Sequence, residues 1–193
     1  MTGRLEVYCG SMFAEKSTSL IRQGKRHLMG GRSVAFVKPY IDNRYGEDVV
    51  ATHDGVKHFA DSIKYDAFTG NMEDFTSRKH VNEAQVVCID EVQFFPKLVI
   101  KLIEKLLYEG KTVYVAGLDM DKDGRPFETT MALMGIAEEV HKVQAVCRDC
   151  GEDAWVTIQE KETERIHVGN DGYKPCCRAC SYKYLGKPVP KWN

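Results

Sequence analysis

LEVYCGSMFAEKSTSLIRQGKRHLM, residues 5–29, is the stretch on which the reading of the whole chain turns. Leu5–Cys9 is a short apolar run of strand character that stops at Gly10. From Ser17 to Met29, Leu20, Ile21 and Leu28 fall at helical spacing, and Gly30-Gly31 closes the run. GSMFAEKS, Gly10–Ser17, therefore sits at a strand-to-helix turn, the context that a phosphate-binding loop requires. Backbone N–H groups and the positive end of a helix would face an anion there, with the Lys16 ammonium and the Ser17 hydroxyl beside it. The pattern G-x-x-x-x-G-K-[ST] asks for a second glycine where this chain has Glu15. A Cβ restricts the backbone at that point, and a carboxylate repels phosphate. Taken alone, the motif is evenly balanced against a chance Lys-Ser at a helix start.

Working outward, Ser33–Val37 reads as a second strand, followed by a turn-rich loop, KPYIDNRYGED. Phe75–Asn82 reads as a short helix and turn, and Gln85–Ile89 as a continuous apolar strand buried in a parallel sheet. Pro96 opens a helix over Lys97–Glu109, with Leu98, Leu102, Ile103, Leu106 and Leu107 on one face; Gly110 ends it. Thr112–Ala116 is a further buried strand. Strands alternating with helices predict an α/β fold, a parallel sheet with flanking helices. From Lys142 onward the pieces are strand-sized, without a helix, and carry two close cysteine pairs. The expected division is an α/β domain over 1–141 and a small β-rich domain over 142–193. The strand QVVCIDE ends in Asp90-Glu91, which resembles a Walker B segment delivering a carboxylate to the edge where α/β sheets bind ligands. Asp90 is a candidate magnesium ligand there; the plain alternative is a pair of solvated acids.

The 193 residues include 27 Lys+Arg, 28 Asp+Glu and 7 Cys, with a formal net charge of −1. That balance argues against a broad polyanion-binding surface, so nucleic acid is not an expected partner. No apolar run approaches the roughly 18 residues of a membrane span. The start, MTGRLEVYCGSMF, lacks the apolar core of a signal peptide. A cytoplasmic location with reduced cysteines is the expectation. Cys147-Arg-Asp-Cys150 and Cys177-Arg-Ala-Cys180 are two C-x-x-C knuckles with 26 residues between them. Four thiolates on two turns suit a closed tetrahedral zinc site, which leaves no position for catalytic water. A redox pair or unligated buried thiols are the competing readings. Only Cys177, not Cys176, gives the two-residue gap, and His167 is a substitute ligand outside either knuckle. Cys9 and Cys88 read as small core residues.

GSMFAEKSTSL, KPYIDNRY, THDG, IDEVQFF, GLDMDKDGRPF and CRDC…VGNDGYKPCCRAC occur in one order. Together they resemble the type II thymidine kinase family, zinc-containing deoxynucleoside kinases with a phosphate loop, over about Leu5 to Leu185. The resemblance implies transfer of the ATP γ-phosphate to the 5′-hydroxyl of thymidine, with deoxyuridine a second substrate. It implies a nucleotide site on Gly10, Ser11, Met12, Phe13, Ala14, Glu15, Lys16, Ser17 and Thr18, with Asp90, Glu91, Val92 and Gln93. Glu91 matches the general base, and Ser17 and Asp90 match the magnesium side. Asp42 and Arg44 match residues around the sugar, and Met12, Phe94, Leu118, Phe127 and Thr157 the walls of the base pocket. Ile166, Val168, Gly169 and Tyr173 lie on a lasso-like loop, Ile166–Tyr173, whose backbone reads the base. A structural zinc on Cys147, Cys150, Cys177 and Cys180, magnesium with ATP, a homotetramer and feedback inhibition by thymidine triphosphate are also implied.

The residues themselves admit plainer readings. Asp42-Asn43-Arg44 after Pro39 suits a polar turn, His53-Asp54-Gly55 a hairpin, and Phe94-Phe95 core staples of the next helix. Two rival functions follow: a family member whose nucleotide binding is degraded by Glu15, or a zinc-ribbon interaction module on a scaffold with a phosphate-loop-like turn.

Overall fold

A computed structural model describes residues 3–43, 46, 48–51, 55–160 and 172–186. The chain order is β1 (Arg4–Cys9), α1 (Lys16–Met29), β2 (Val34–Pro39), β3 (Val49–Ala51), β4 (Lys57–Phe59), β5 (Asp61–Ile63), α2 (Lys79–Glu83), β6 (Val86–Ile89), α3 (Leu98–Tyr108), β7 (Thr112–Gly117), α4 (Glu128–Ile136), β8 (Glu139–Lys142), β9 (Ala145–Val146), β10 (Asp153–Ala154), β11 (Val156–Gln159), β12 (Tyr173–Cys176) and α5 (Arg178–Leu185). Short 3₁₀ turns at Phe75–Ser77 and Val92–Phe94 complete it.

Six strands form one sheet in the order β5-β2-β6-β7-β1-β8. Every pairing within it is parallel. A parallel sheet must be covered on both faces, and the strands show this as two interleaved sets of apolar residues. Leu5, Val7, Ala35, Val37, Val87, Ile89, Val113 and Val115 pack with Val99, Ile103 and Leu106 of α3 and Leu133 of α4. Tyr8, Phe36, Val86, Cys88, Tyr114 and Ala116 face the other way, against Leu20 and Ile21 of α1 and against Val50 and Ala60. Burying each aliphatic side chain contributes about 1.5–3 kcal/mol. The three remaining ladders, β3-β4, β9-β10 and β11-β12, are antiparallel pairs outside this sheet.

The expected α/β fold with its parallel sheet is present, and the elements named from the sequence up to β7 match to within a residue or two, whereas β3, β4, β5, α4 and β8 were not among them. The expectation of no helix after Lys142 is corrected by α5. Its start is set by Cys177, whose sulfur accepts the Cys180 N–H at 3.4 Å. Trp155 Nε1 donates to the Ser181 hydroxyl at 3.0 Å, pinning the helix to the sheet region. An eight-residue helix held by a cysteine cap and one indole has too short an apolar stripe to register as periodicity.

Gly24 shows how closely α1 lies on the sheet: a Cβ there would fall 2.3 Å from Cζ of Phe36. A mid-helix glycine costs about 1 kcal/mol relative to alanine, yet overpacking a core costs about 1–3 kcal/mol. Gly24→Ala is therefore expected to destabilise by about 1 kcal/mol net. A thermal melt reads this as a drop of about 2–4 °C, and a raised midpoint would show that Phe36 has room to turn away.

Candidate active site

Successive elements deliver their polar groups to the carboxyl edge of the sheet. β1 ends at Cys9, and Gly10 then turns at φ 141°. A Cβ on Gly10 would meet the Val143 carbonyl oxygen at 2.0 Å, so only glycine fits. The Val143 N–H donates to the Cys9 carbonyl at 2.8 Å, holding the two segments in that contact. Over the loop, the Lys16 ammonium donates to the Ser11 carbonyl at 2.6 Å. The first N–H groups of α1, beyond Glu15, have no partner inside the helix and make its end an anion-attracting site. Among the described residues, the buried Ser11 hydroxyl likewise has no hydrogen-bond partner.

Glu15 adopts the left-handed conformation that the missing glycine would have supplied, φ 56° and ψ 32°. For an L-residue this costs about 1–2 kcal/mol. Its side chain is exposed to solvent, where a charge is screened. Three non-glycine residues have positive φ among the described residues: Phe13, Glu15 and Glu91. Two belong to the loop and the third follows β6. Strain of this kind gathers where a site demands a particular backbone.

β6 delivers Asp90 and Glu91 beside the loop. Asp90 is 5% exposed and accepts the Glu91 N–H at 2.9 Å and the Ser17 hydroxyl. Burial, reinforced by the charge of Glu91, pushes its carboxyl up to about 7, against the pull of those two hydrogen bonds. Asp42 also acts on Asp90 through its charge, so the buried Asp42 carboxylate belongs to the same electrostatic neighbourhood. Burial pulls the Lys16 ammonium below its usual range, while Glu91, Asp90 and Asp119 oppose that shift in this order. Glu91 accepts a hydrogen bond from Gln93 Nε2 at 2.5 Å, and Gln93 Oε1 in turn accepts the Leu118 N–H at 2.9 Å. Gly117 leaves room for this bridge: a Cβ would lie 2.7 Å from Gln93 Oε1 and from Val92 Cγ1.

Of the expected pocket residues, Met12 and Thr157 meet directly, the Met12 N–H donating to Thr157 Oγ1 at 2.8 Å. Leu118 joins Glu91 through Gln93, and the Phe127 N–H donates to the Asp119 carbonyl at 2.9 Å. Phe94 is half-buried and Tyr173 buried at the start of β12. Val92 is fully buried in the core beside α3 and α4. Ala14 packs with Ala145 and Ala154, and Thr18 lies in the first turn of α1. Arg44, Ile166, Val168, Gly169 and His167 lie outside the described residues, as do His53 and Asp54. The sequence reading missed Asp119 and Lys142, which pair at 2.9 Å across the end of β1. Asp119 had a legible signal, a carboxylate just past a buried parallel strand, the same logic that singled out Asp90.

The cysteine region borders the loop. The Arg148 guanidinium lies 5.0 Å from the Phe13 ring centroid. The sulfurs of Cys147, Cys150, Cys177 and Cys180 all lie within 4.8 Å of one another and could hold a metal ion. Cys150 and Cys177 sulfurs are 3.5 Å apart, near the roughly 3.8 Å edge of a tetrahedron with Zn–S bonds of about 2.3 Å. Cys147 accepts N–H groups from Cys177, Asp149 and Cys150, donors that favour a thiolate. Cys176 is fully buried and outside this group. Lys174 then ties the first knuckle to the β11–β12 stem, bonding Asp149 at 2.8 Å, Tyr184 at 2.7 Å and Glu160 at 3.0 Å.

The raised carboxyl of Asp90 has a definite sign for stability. Between about 4 and about 7 the native state holds a proton that the unfolded state has lost, so stability falls as pH rises through that window and the full penalty stands above 7. Asp90→Asn is expected to gain stability over the wild type progressively from pH 4 to pH 7. Denaturant titrations across that range check this; a difference independent of pH would contradict it.

Comparison with known proteins agrees with the geometry. The family description "Thymidine kinase" matches residues 3–181. A curated relative named "Thymidine kinase", from Pseudothermotoga lettingae, is 36% identical over 191 residues, covering 97% of this chain and 99% of its own. Such coverage spans the phosphate loop, the Asp90-Glu91 strand end and the cysteine knuckles together. The chain belongs to the thymidine kinase family.

Proposed function

We propose that this protein is an ATP-dependent thymidine kinase, transferring the γ-phosphoryl group to the 5′-hydroxyl of thymidine, with deoxyuridine a second substrate. The observation that carries this reading is the meeting of Lys16, Ser17, Asp90 and Glu91 at one sheet edge in a chain of this family. Phosphoryl transfer needs positioning and charge stabilisation more than covalent help from the protein. Loop N–H groups and Lys16 hold the polyphosphate. The hard oxygen donors of Ser17 and Asp90, already hydrogen-bonded to each other, fit a magnesium ion. Held there, such an ion would neutralise the charge that develops on the phosphate oxygens during transfer.

Glu91, held by Gln93, orients the 5′-hydroxyl and takes its proton as the new phosphorus–oxygen bond forms and the bond to ADP breaks. Arg44 adds positive charge near the transferring group. Met12, Phe94, Leu118, Phe127 and Thr157 wall the base pocket, and the loop Ile166–Tyr173, with Ile166, Val168 and Gly169, closes it. The division at 141/142 separates the nucleotide-binding part from the zinc-bearing part that closes over the nucleoside. Zinc on Cys147, Cys150, Cys177 and Cys180 is structural, and the bridge from Asp149 through Lys174 to Glu160 supports its coupling to the loop. The outward Glu15 supports a working phosphate loop. A homotetramer, inhibition by thymidine triphosphate and a cytoplasmic location complete the reading. Among the described residues, no helix is long and apolar enough to cross a membrane.

Zinc-loaded protein with ATP and magnesium is expected to release ADP only when thymidine is present, and Glu91→Gln to lower kcat by about 10²–10⁴-fold, the usual contribution of a general base. A coupled assay with no thymidine-dependent ADP release from wild type would overturn the kinase reading. Metal analysis tests the knuckles separately: Cys177→Ser should lose bound zinc while Cys176→Ser retains it. Equal retention by both variants would remove Cys177 from the ligand set.

A further inference from the structure

Lys38 is fully buried at the carboxyl end of β2, among the largest side chains in the molecule with no exposed surface. Strand alternation puts it on the same face as Phe36, toward α1 and the β3–β4 hairpin. Its ammonium donates to the carbonyl oxygens of Asp42 at 2.7 Å, Gly46 at 2.6 Å and Val49 at 2.8 Å. An ammonium has three N–H donors, and three main-chain carbonyls within eight residues of chain converge on this one. Carbonyl dipoles pointing at a common centre repel unless a cation sits there. The turn preceding Gly46 has short-range bonds of its own, Asp42 N–H to Pro39, Asn43 N–H to Ile41 and Gly46 N–H to Asn43. None of these reaches across to Val49. Among the described residues, Lys38 gathers both ends of the segment onto one point.

That segment carries Asp42, buried and close enough for its charge to act on Asp90. The phosphate loop is held by other contacts, Lys16 to Ser11 and Met12 to Thr157, in which Lys38 takes no part. We propose that Lys38 is a positioning residue for the nucleoside side of the site: its ammonium is the internal cation that gathers the main chain at Asp42, Gly46 and Val49, and so sets where Asp42 stands. The inference rests on the kinase reading for its functional consequence, whereas its structural content, a segment ordered by one buried cation, stands independently. It separates the two substrates physically. Loss of Lys38 disorders the nucleoside side and leaves the phosphate loop intact.

The test uses the full, zinc-loaded chain with Lys38→Met, which keeps the stem volume and removes the charge, and Lys38→Arg, whose planar fork keeps the charge but does not match three converging carbonyls. Three measurements are made: MgATP affinity by calorimetry, thymidine KM and kcat, and amide exchange over residues 42–49. For Lys38→Met we expect ATP affinity within twofold of wild type, thymidine kcat/KM reduced at least tenfold, and at least tenfold faster exchange confined to that segment. Lys38→Arg should fall between. Unchanged thymidine kcat/KM, or equal losses for ATP and thymidine, overturns the proposal. If Lys38→Met does not fold, Lys38→Arg decides: a selective loss toward thymidine supports the role, and wild-type behaviour removes it. If wild type itself does not phosphorylate thymidine, the kinase reading fails, and exchange over 42–49 alone decides whether Lys38 orders the segment.

Discussion

One close backbone approach organises the rest: the main chain at Gly10 lies against the Val143 carbonyl so tightly that no side chain fits between them. With the Val143 N–H bonded to Cys9, the start of the phosphate loop is joined to the segment just past β8. β1 lies between β7 and β8, so the loop rises from within the sheet. A rigid base of this kind keeps loop N–H groups aimed without the protein reorganising when an anion arrives. The same contact brings the cysteine-rich region over the loop, where Thr157 takes the Met12 N–H. The Gly10–Ser17 loop and the cysteine-bearing part thus share a structural foundation.

Electrostatics at that edge are deliberately unbalanced. Asp90, Glu91 and Asp119 surround Lys16, and burial acts against the charged form of both Asp90 and Lys16. An edge so rich in carboxylates and so poor in solvent suits a ligand that would bring cations with it, as the proposed function requires. Positive φ at Phe13, Glu15 and Glu91 shows the backbone bearing strain at the same edge. Buried lysines elsewhere perform a different task. Lys38 and Lys111 bind main-chain carbonyls, and Lys174 joins acids from separate segments, so these cations shape loops that have little regular structure.

Much of this was legible beforehand, for identifiable reasons. β1, α1, β6, α3 and β7 carry continuous or periodic apolar residues, and burial leaves that pattern in the chain. Asp90, Glu91, Lys16 and the four clustered cysteines were legible because strand ends and C-x-x-C spacing constrain chemistry over a few residues. α5 was not, because its cap is a sulfur and its anchor is Trp155, more than twenty residues upstream. Gln93 gave only a family match; its bridging role depends on Leu118 and on the absence of a Cβ at Gly117. Lys38 gave no signal at all, since a lysine before a proline reads as surface.

The sequence by itself determined the alternation of strands and helices, the strand-to-helix loop with its Lys-Ser, the acids at a buried strand end and the paired cysteines. These depend on neighbours close in the chain, and local spacing records them. Tertiary structure decided that Glu15 takes a left-handed turn with its carboxylate exposed, that Cys177 joins the sulfur cluster while Cys176 stays apart, and that Lys38 is wholly buried. Each of those outcomes turns on where distant backbone passes: which carbonyls converge, which side of a turn meets solvent, which sulfur faces its partners. Local spacing leaves such distances open, and packing of remote segments sets them.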